Sequence, residues 1–192
     1  MTGLDPGVEE LVEVAVVITD YELSVLDPGF QIVIKPSNAA LTNMGDFVRA
    51  MHTTSGLLEE RPLGHSLPDA EAQVLEYIAR FVPDAGVAPL AGNTIGTDRT
   101  FLAKEMPLVH EYVHYRNIDV STIKELAKRW QPKSYFHSPE KHGGHRALAD
   151  ILESIRELAY YRSAVFVESP GMSTSALKVV NETITQQWES RL

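Results

Sequence analysis

Apolar and polar positions near the start of the chain predict two strands. Glu10–Asp20 is rich in β-branched residues and apolar on both faces near its centre, which predicts a largely buried strand. Phe30–Lys35 alternates apolar and polar residues and ends at Pro36, which predicts a second strand. Because the turn residues Asp27-Pro28-Gly29 lie between them, the two strands are expected to form an antiparallel hairpin or meander.

Helical periodicity dominates the remainder. Asp69–Phe81 carries its apolar residues on one face, which consists of Ala70, Val74, Tyr77, Ile78 and Phe81. Arg146–Arg162 is the longest predicted helix, and its apolar inner stripe consists of Ile151, Leu152, Ile155, Leu158 and Ala159. Two further strands are predicted at Val87–Ala91 and Tyr115–Val120. Helices are predicted at Asp98–Met106 and at Thr122–Trp130, the second with Ser121 as its N-cap. A loop is predicted at Gln131–Gly144, and a last helical pattern lies within Ser173–Leu192. Strands followed by alternating strands and helices predict an α/β fold with a mixed sheet.

Composition narrows the class of protein. The 192 residues contain 44% apolar residues and no cysteine, and no apolar run approaches the roughly 18 residues of a membrane span. A cytoplasmic protein without a membrane partner is therefore expected. The net charge of −9 argues against a broad electrostatic surface for long nucleic acids. It is compatible with an enzyme that holds a few nucleotides in a pocket.

Asp98 is the first candidate for catalysis. It follows a predicted strand and the turn Gly92-Asn93-Thr94-Ile95-Gly96, where glycines allow the backbone to approach a ligand closely. The competing interpretation of Asp98 alone is a helix N-cap, which is a common position for aspartate.

His145 and Asp150 form the second candidate pair. Five helical positions correspond to roughly 500°, so the two side chains converge only if His145 lies in the preceding loop and Asp150 lies in the helix. Asp150 is then expected to point inward, and His145 is suited to act as a general base near neutral pH. The competing interpretation is a solvated loop histidine and a surface aspartate.

Hydrolysis of a phosphodiester by two metal ions requires clustered carboxylates and a base. Asp98, Asp150 and His145 supply the base and half of the ligands. Near the first strand the acidic residues are Asp5 and Glu9 or Glu10, and the Leu-Asp-Pro-Gly context favours a turn for Asp5.

Six segments together identify a family. They are Met1–Asp5, His52–Leu57, Gly92–Arg99, His114–Thr122, Lys124–Leu126 and His145–Asp150. In this order they resemble the oligoribonucleases, 3′→5′ exoribonucleases of the DEDD group that use a histidine base. The resemblance covers roughly residues 1–165 as an exonuclease domain and leaves 166–192 as a C-terminal helical extension. It implies an RNase H-like mixed sheet flanked by helices, a homodimer, two Mg²⁺ or Mn²⁺ ions per site, and cleavage of RNAs of two to five nucleotides to mononucleotides.

The resemblance also assigns roles to individual residues. The catalytic set is Asp98 and Asp150 as metal ligands, His145 as base, and Tyr115, which reaches the site of the partner subunit. The substrate-binding set is Leu4 as a wedge between bases, Phe47 and His52 in the base pocket, Thr94, and a cap on the 5′ phosphate. The cap is formed by Arg116, Ser121 and Thr122, which act on the site of the partner subunit. Thr94 replaces the usual serine and keeps the hydroxyl. The alternative interpretations are a dimer rim for Tyr115 and Arg116 and edge-of-core packing for Leu4.

One departure concerns the start of the chain. The family motif places an Asp-x-Glu pair directly before the residue that is Met1 here. The first strand is therefore expected to be partly missing, and the 192-residue chain is expected to fold but to be weakly active or inactive. Restoring about ten upstream residues is expected to restore metal-dependent hydrolysis, since the pair contributes two carboxylates.

Two other functions compete with an oligoribonuclease. One is a non-catalytic dimeric nucleotide-binding protein on the same fold. A stop codon directly upstream of Met1 would favour this binding protein, whereas an in-frame Asp-x-Glu there would favour the enzyme. The other is a proofreading-type DNA exonuclease domain. The His114-Tyr115-Arg116 and Asp119–Thr122 segments favour short RNA over that DNA substrate.

Overall fold

Two strand pairs form the β-structure in the computed structural model, which describes residues 1–141 and 146–189. Strands β1 (Glu13–Val16) and β2 (Phe30–Val33) pair antiparallel, so the predicted hairpin is confirmed. Strands β3 (Pro89–Gly92) and β4 (His114–Asp119) pair in parallel, with Gly92 opposite Asp119. In the described chain each pair is a separate two-stranded sheet.

Helices make up most of the described structure. They are α1 (Asn38–Asn43), α2 (Asp46–Thr54), α3 (Leu57–Glu60), α4 (Leu67–Phe81), α5 (Ile95–Glu105), α6 (Pro107–Tyr112), α7 (Val120–Trp130), α8 (Pro132–Phe136), α9 (Ala147–Val165) and α10 (Thr174–Glu189), with a 3₁₀ turn at Arg61–Leu63. The periodicity predicted α4, α5, α7, α9 and α10 within a few residues at each end. It missed α1 to α3 and α6, which are short, and α8, which lies in the predicted loop.

The start of α7 differs from the prediction. Asp119, and not Ser121, is the N-cap, because its side chain accepts a hydrogen bond from the Ser121 N–H. Both residue types are favoured N-caps, so the sequence alone did not separate them. The helix therefore begins directly at the end of β4.

The apolar core lies between the antiparallel pair and helices α4 to α6. Its members include Leu11, Ile32, Ile34, Ala70, Val74, Tyr77, Ile78, Phe101, Leu102, Met106 and Val109. The predicted inner face of α4 is confirmed at Ala70, Val74, Tyr77 and Ile78. The Tyr77 hydroxyl donates to Asp27, and burial together with this bond raises the pKa of Tyr77 to about 12.

The burial pattern of helix α9 differs from the predicted apolar stripe. Its two buried residues are Glu157 and Tyr161, whereas Leu152, expected inside, is 44% exposed. The polar residue is tolerated inside because it is paired with cations from other elements. The spacing of apolar residues does not predict such ion pairs, so the burial of Glu157 was not expected.

A second buried carboxylate anchors the start of α9. Glu13 on β1 accepts hydrogen bonds from Arg146 Nε at 2.9 Å and from the Ala147 N–H at 2.8 Å. Arg146 also binds both oxygens of Glu60 at 2.7 and 2.9 Å. The hydrogen bond from Arg146 lowers the pKa of the Glu60 carboxyl. The arginine thus ties α9 to β1 and to the end of α3.

The C-terminal helix differs from the other long helices because it buries no side chain. Helix α10 has no buried residue, and Leu177, Val180, Ile184 and Trp188 are each about half exposed. The assignment of 166–192 as an extension outside the exonuclease domain stays a prediction. Within residues 1–141 and 146–189, no helix has the length and hydropathy of a membrane span.

Removing the Arg146 guanidinium tests the anchoring of α9. Arg146→Met leaves the buried Glu13 without its cation, and we expect a loss of about 2–4 kcal/mol in the free energy of unfolding. The matched control is Arg129→Met, which breaks an exposed pair with Glu125 one helical turn away and should cost at most about 0.5 kcal/mol. Urea titrations of both variants measure this, and equal losses would contradict the account.

Candidate active site

A strained turn ends β3. Thr94 is the N-cap of α5 and has φ of +54°, in the left-handed region that a β-branched residue rarely adopts. Its N–H donates to Asp119 Oδ1 at 2.9 Å and to Ser121 Oγ at 3.0 Å. These bonds hold the residue in a conformation that costs roughly 1–2 kcal/mol.

Asp119 organises the hydroxyl groups around this turn. Its carboxylate accepts from the Thr94 N–H, from the Ser121 N–H at 3.2 Å and from the Thr122 hydroxyl at 2.7 Å. The hydroxyl oxygens of Thr94 and Ser121 lie 3.2 Å apart. Parallel pairing of Gly92 with Asp119 explains this convergence, because it brings the ends of β3 and β4 together. Three hydroxyls therefore gather at one edge of the sheet.

Asp98 lies in the first turn of α5 and is not its N-cap, because the helix begins at Ile95. The N-cap interpretation of Asp98 is therefore excluded. Burial raises the pKa of the Asp98 carboxyl, while a hydrogen bond from its own backbone and the Met1 ammonium act in the opposite direction. A partly buried carboxylate that attracts a cationic group is suited to metal binding.

Asp150 lies in the first turn of α9 and is exposed, so the expectation that it points inward is wrong. The start of α9 is anchored to Glu13 through Arg146 and the Ala147 N–H, while the side chains of Ala149 and Asp150 lie on the exposed side of the turn. The predicted base His145 lies outside the described residues. Within residues 1–141 and 146–189 no group of three or more His, Asp or Glu side chains is placed to hold a metal ion.

Comparison with known proteins decides the family. The exonuclease family matches residues 1–158. An oligoribonuclease from Leifsonia xyli is 64% identical over the whole chain and 93% of its own length, and one from Cutibacterium acnes is 59% identical over 91% of the chain and 87% of its own length. An oligoribonuclease from Streptomyces avermitilis is 55% identical over 94% of the chain and 90% of its own length.

The chain belongs to the oligoribonuclease family. The resemblance stated from six sequence segments is therefore confirmed, and so is the RNase H-like α/β fold class. The family assignment does not test the roles of single residues, which depend on where the structure places them.

Tyr115 and Arg116 lie on β4 and are exposed, with Tyr115 at 73%. The Arg116 guanidinium stands over the Tyr115 ring at 5.4 Å, and the His114 ring packs on its neighbour Tyr115 at 4.5 Å. A stacked arginine and an exposed aromatic ring suit contact with another molecule. Their assignment to the partner subunit's site stays a prediction.

The predicted base pocket is only partly assembled. Leu4 and Phe47 are 79% and 81% exposed, so edge-of-core packing does not explain Leu4. His52 is buried, and its Nε2 lies 2.8 Å from the Met1 carbonyl oxygen, which places α2 beside the start of the chain. Asp5 accepts a hydrogen bond from the Gly7 N–H at 2.8 Å, so its predicted turn role is confirmed.

Sequence reasoning missed three residues that organise the site. Asn93, Asp119 and Glu157 link the turn after β3 to α7 and α9. The Asp-x-Ser pattern at Asp119 is typical of an N-cap and offered a signal for that residue. Nothing in the sequence pattern marked Glu157, which sits among predicted core positions of α9.

Paired substitutions test the strain at Thr94. Thr94→Gly and Thr94→Val both remove the hydroxyl, but only glycine relieves the left-handed backbone, so the glycine variant should be more stable by about 1 kcal/mol. Thr100 provides the control, because it lies within α5 with ordinary helical geometry. There the glycine variant should be less stable than the valine variant by a few tenths of a kcal/mol. Thermal unfolding measures all four, and the same order at both positions would rule out strain at Thr94.

Proposed function

We propose that this protein is a 3′→5′ exoribonuclease that degrades RNAs of two to five nucleotides to mononucleotides. The observation that carries the proposal is 64% identity over the whole chain to a protein named oligoribonuclease. The match of the exonuclease family to residues 1–158 supports the hydrolysis of phosphodiester bonds. The hydroxyl cluster at the ends of β3 and β4 supports a substrate with a terminal phosphate.

A phosphate cap limits the length of the substrate in this proposal. We define it as Thr94, Arg116, Ser121 and Thr122, which lie on β4 or at the adjoining starts of α5 and α7. The Arg116 guanidinium donates charge-assisted hydrogen bonds to the phosphate oxygens, and the Thr94 hydroxyl donates another. Ser121 and Thr122, whose hydroxyl protons go to Asn93 and Asp119, hold the shape of the cap. A 5′ phosphate held there leaves room for very short chains only. Leu4, Phe47 and His52 then contact the bases.

The proposed chemical step uses two aspartates and one histidine. Asp98 and Asp150 contribute carboxylate ligands for Mg²⁺ or Mn²⁺, which activate water and neutralise charge on the phosphate when bound. Asp98 and Asp150 alone are fewer carboxylates than two ions require. His145 is the proposed base that accepts the proton of the attacking water.

The proposed active unit is a homodimer. Tyr115 and Arg116 are exposed on the same strand, and their aromatic and cationic character is enriched at protein interfaces. In the proposal they complete the site of the partner subunit. Each site then depends on the dimer, which excludes long RNA by closing the 5′ side of the pocket.

Arg116→Ala tests the phosphate cap when it is made in the chain extended by about ten residues upstream of Met1. Loss of a charge-assisted bond should lower kcat/KM on a 5′-phosphorylated dinucleotide by about tenfold to a hundredfold. Cleavage of a seven-nucleotide RNA should change by less than about threefold, because its 5′ end lies outside the cap. Arg99→Ala is unsuitable as a control, since Arg99 binds Asn117 and the His114 carbonyl. Arg129→Ala serves instead, because Arg129 is exposed and pairs with Glu125 on its own helix. Equal losses on both RNAs would remove the cap hypothesis.

Mixed dimers of the same extended chain test the contribution of Tyr115 in trans. Tyr115→Ala and Asp150→Asn homodimers should each be nearly inactive if both residues serve catalysis. Because half of the dimers in an equal mixture are heterodimers with one intact site of two, the mixture should regain roughly a quarter of the unsubstituted activity. Subunit exchange is verified by mass spectrometry. Exchange without recovery would place Tyr115 in its own subunit's site or outside catalysis.

A further inference from the structure

A buried carboxylate on α9 joins three separate parts of the fold. Glu157 is 2% exposed, and its oxygens lie 3.0 Å from Lys124 Nζ and 2.8 Å from Lys141 Nζ. A third donor, Asn93 Nδ2, lies 3.2 Å away. These partners belong to α7, to the segment after α8 and to the end of β3. None of the roles assigned above to catalysis or to substrate binding uses Glu157.

The charge state of Glu157 is fixed by these partners. Burial alone raises the pKa of a carboxyl group, but the hydrogen bonds and charges of Lys141 and Lys124 outweigh burial and leave the pKa of Glu157 below its usual value. Glu157 is therefore ionised at neutral pH. An ionised carboxylate only accepts hydrogen bonds, so each group that faces it must be a donor.

This requirement fixes the orientation of the Asn93 amide. Its NH₂ group donates to Glu157 and also to Ser154 Oγ at 2.9 Å. The amide oxygen must then face the other way, where it accepts a hydrogen bond from Ser121 Oγ at 3.1 Å. A neutral side-chain amide in place of the carboxylate offers a donor as well as an acceptor, so it would no longer exclude the flipped orientation of Asn93.

The orientation of Asn93 in turn fixes the direction of the bonds in the phosphate cap. Because Ser121 gives its single hydroxyl proton to Asn93, its oxygen lone pairs are left to accept from the Thr94 N–H at 3.0 Å. That bond is one of the two that hold Thr94 in its left-handed conformation. A path of hydrogen bonds therefore runs from Glu157 through Asn93 and Ser121 to Thr94.

We propose that Glu157 is a positioning residue that sets the geometry of the phosphate cap by orienting Asn93 and Ser121. The inference rests on the proposed function, because it gives the cap its role in 5′-phosphate recognition. It assigns no contact with the substrate to Glu157. Lys124 and Lys141 keep the carboxylate ionised, and Ser154 supports the same amide orientation.

Glu157→Gln tests the inference, since it keeps the shape and removes the charge. Equilibrium binding of a 5′-phosphorylated dinucleotide and of the same dinucleotide with a 5′ hydroxyl is measured in Ca²⁺, which takes oxygen ligands in looser geometry than Mg²⁺. The preference for the 5′ phosphate should fall by about fivefold to tenfold, as for one lost hydrogen bond. Glu125→Gln is the matched control, because it makes the same change at an exposed pair on α7 and should keep the preference.

Hydrogen exchange on the protein without ligand gives a second readout. Peptides that contain Thr94 and Ser121 should exchange faster in Glu157→Gln, while peptides from α4 should not change. If Glu157→Gln does not fold, Ser154→Ala replaces it, because that variant removes one acceptor of the Asn93 amide and leaves the ion pairs intact. It should produce the same changes at smaller size.

The outcomes distinguish a failure of the positioning role of Glu157 from a failure of the phosphate cap. A 5′-phosphate preference that survives in folded Glu157→Gln, with unchanged exchange at Thr94 and Ser121, would overturn the positioning role. Equal loss of binding for both dinucleotides would also overturn it, since that result indicates general damage to the fold. Failure of the unsubstituted protein to prefer the 5′ phosphate would overturn the phosphate cap of the proposed function itself, and with it this inference.

Discussion

Buried ion pairing along α9 is the constraint on which the site depends. Glu13 binds Arg146 and the first turn of the helix, and Glu157 binds two lysines further along. A buried charge without a partner is strongly destabilising, so each carboxylate admits only arrangements in which its cations are present. Apolar packing tolerates small shifts of a helix against its neighbours, whereas these bonds do not. The position of α9 relative to β1 and β3 is therefore set by specific contacts.

The same constraint extends to the candidate site. The turn after β3 adopts a conformation that its sequence disfavours, and it persists because Asp119 and Ser121 bind the Thr94 N–H. Strain of this kind is common where a protein holds groups ready for a ligand. The parallel register of β3 and β4 brings the two chain segments together, and α9 orients the amide that connects them. Fold, charge pairing and local strain thus act on one cluster of hydroxyl groups.

The sequence predicted the parts of this arrangement that depend on local pattern or on family motifs. The hairpin of β1 and β2, the buried face of α4 and the turn at Asp5 followed from periodicity and turn chemistry. The family followed from six ordered segments and is confirmed. The burial of Glu157 did not follow, because its partners Lys124 and Lys141 are distant in sequence and an isolated glutamate predicts exposure. The N-cap at Asp119 was missed because neighbouring residues were equally suitable.

The dependence of hydrolysis on RNA length tests the central claim most directly. The rate of nucleotide release is measured for the chain extended by about ten upstream residues. The substrates are 5′-phosphorylated RNAs of two to ten nucleotides labelled at either end, and DNA of the same sequences, in Mn²⁺ or Mg²⁺. The account predicts release from the 3′ end, the highest kcat/KM on the shortest RNAs, and a steep fall beyond about five nucleotides because the phosphate cap closes the 5′ side. Rates that are independent of length, or that are equal for DNA, would contradict it.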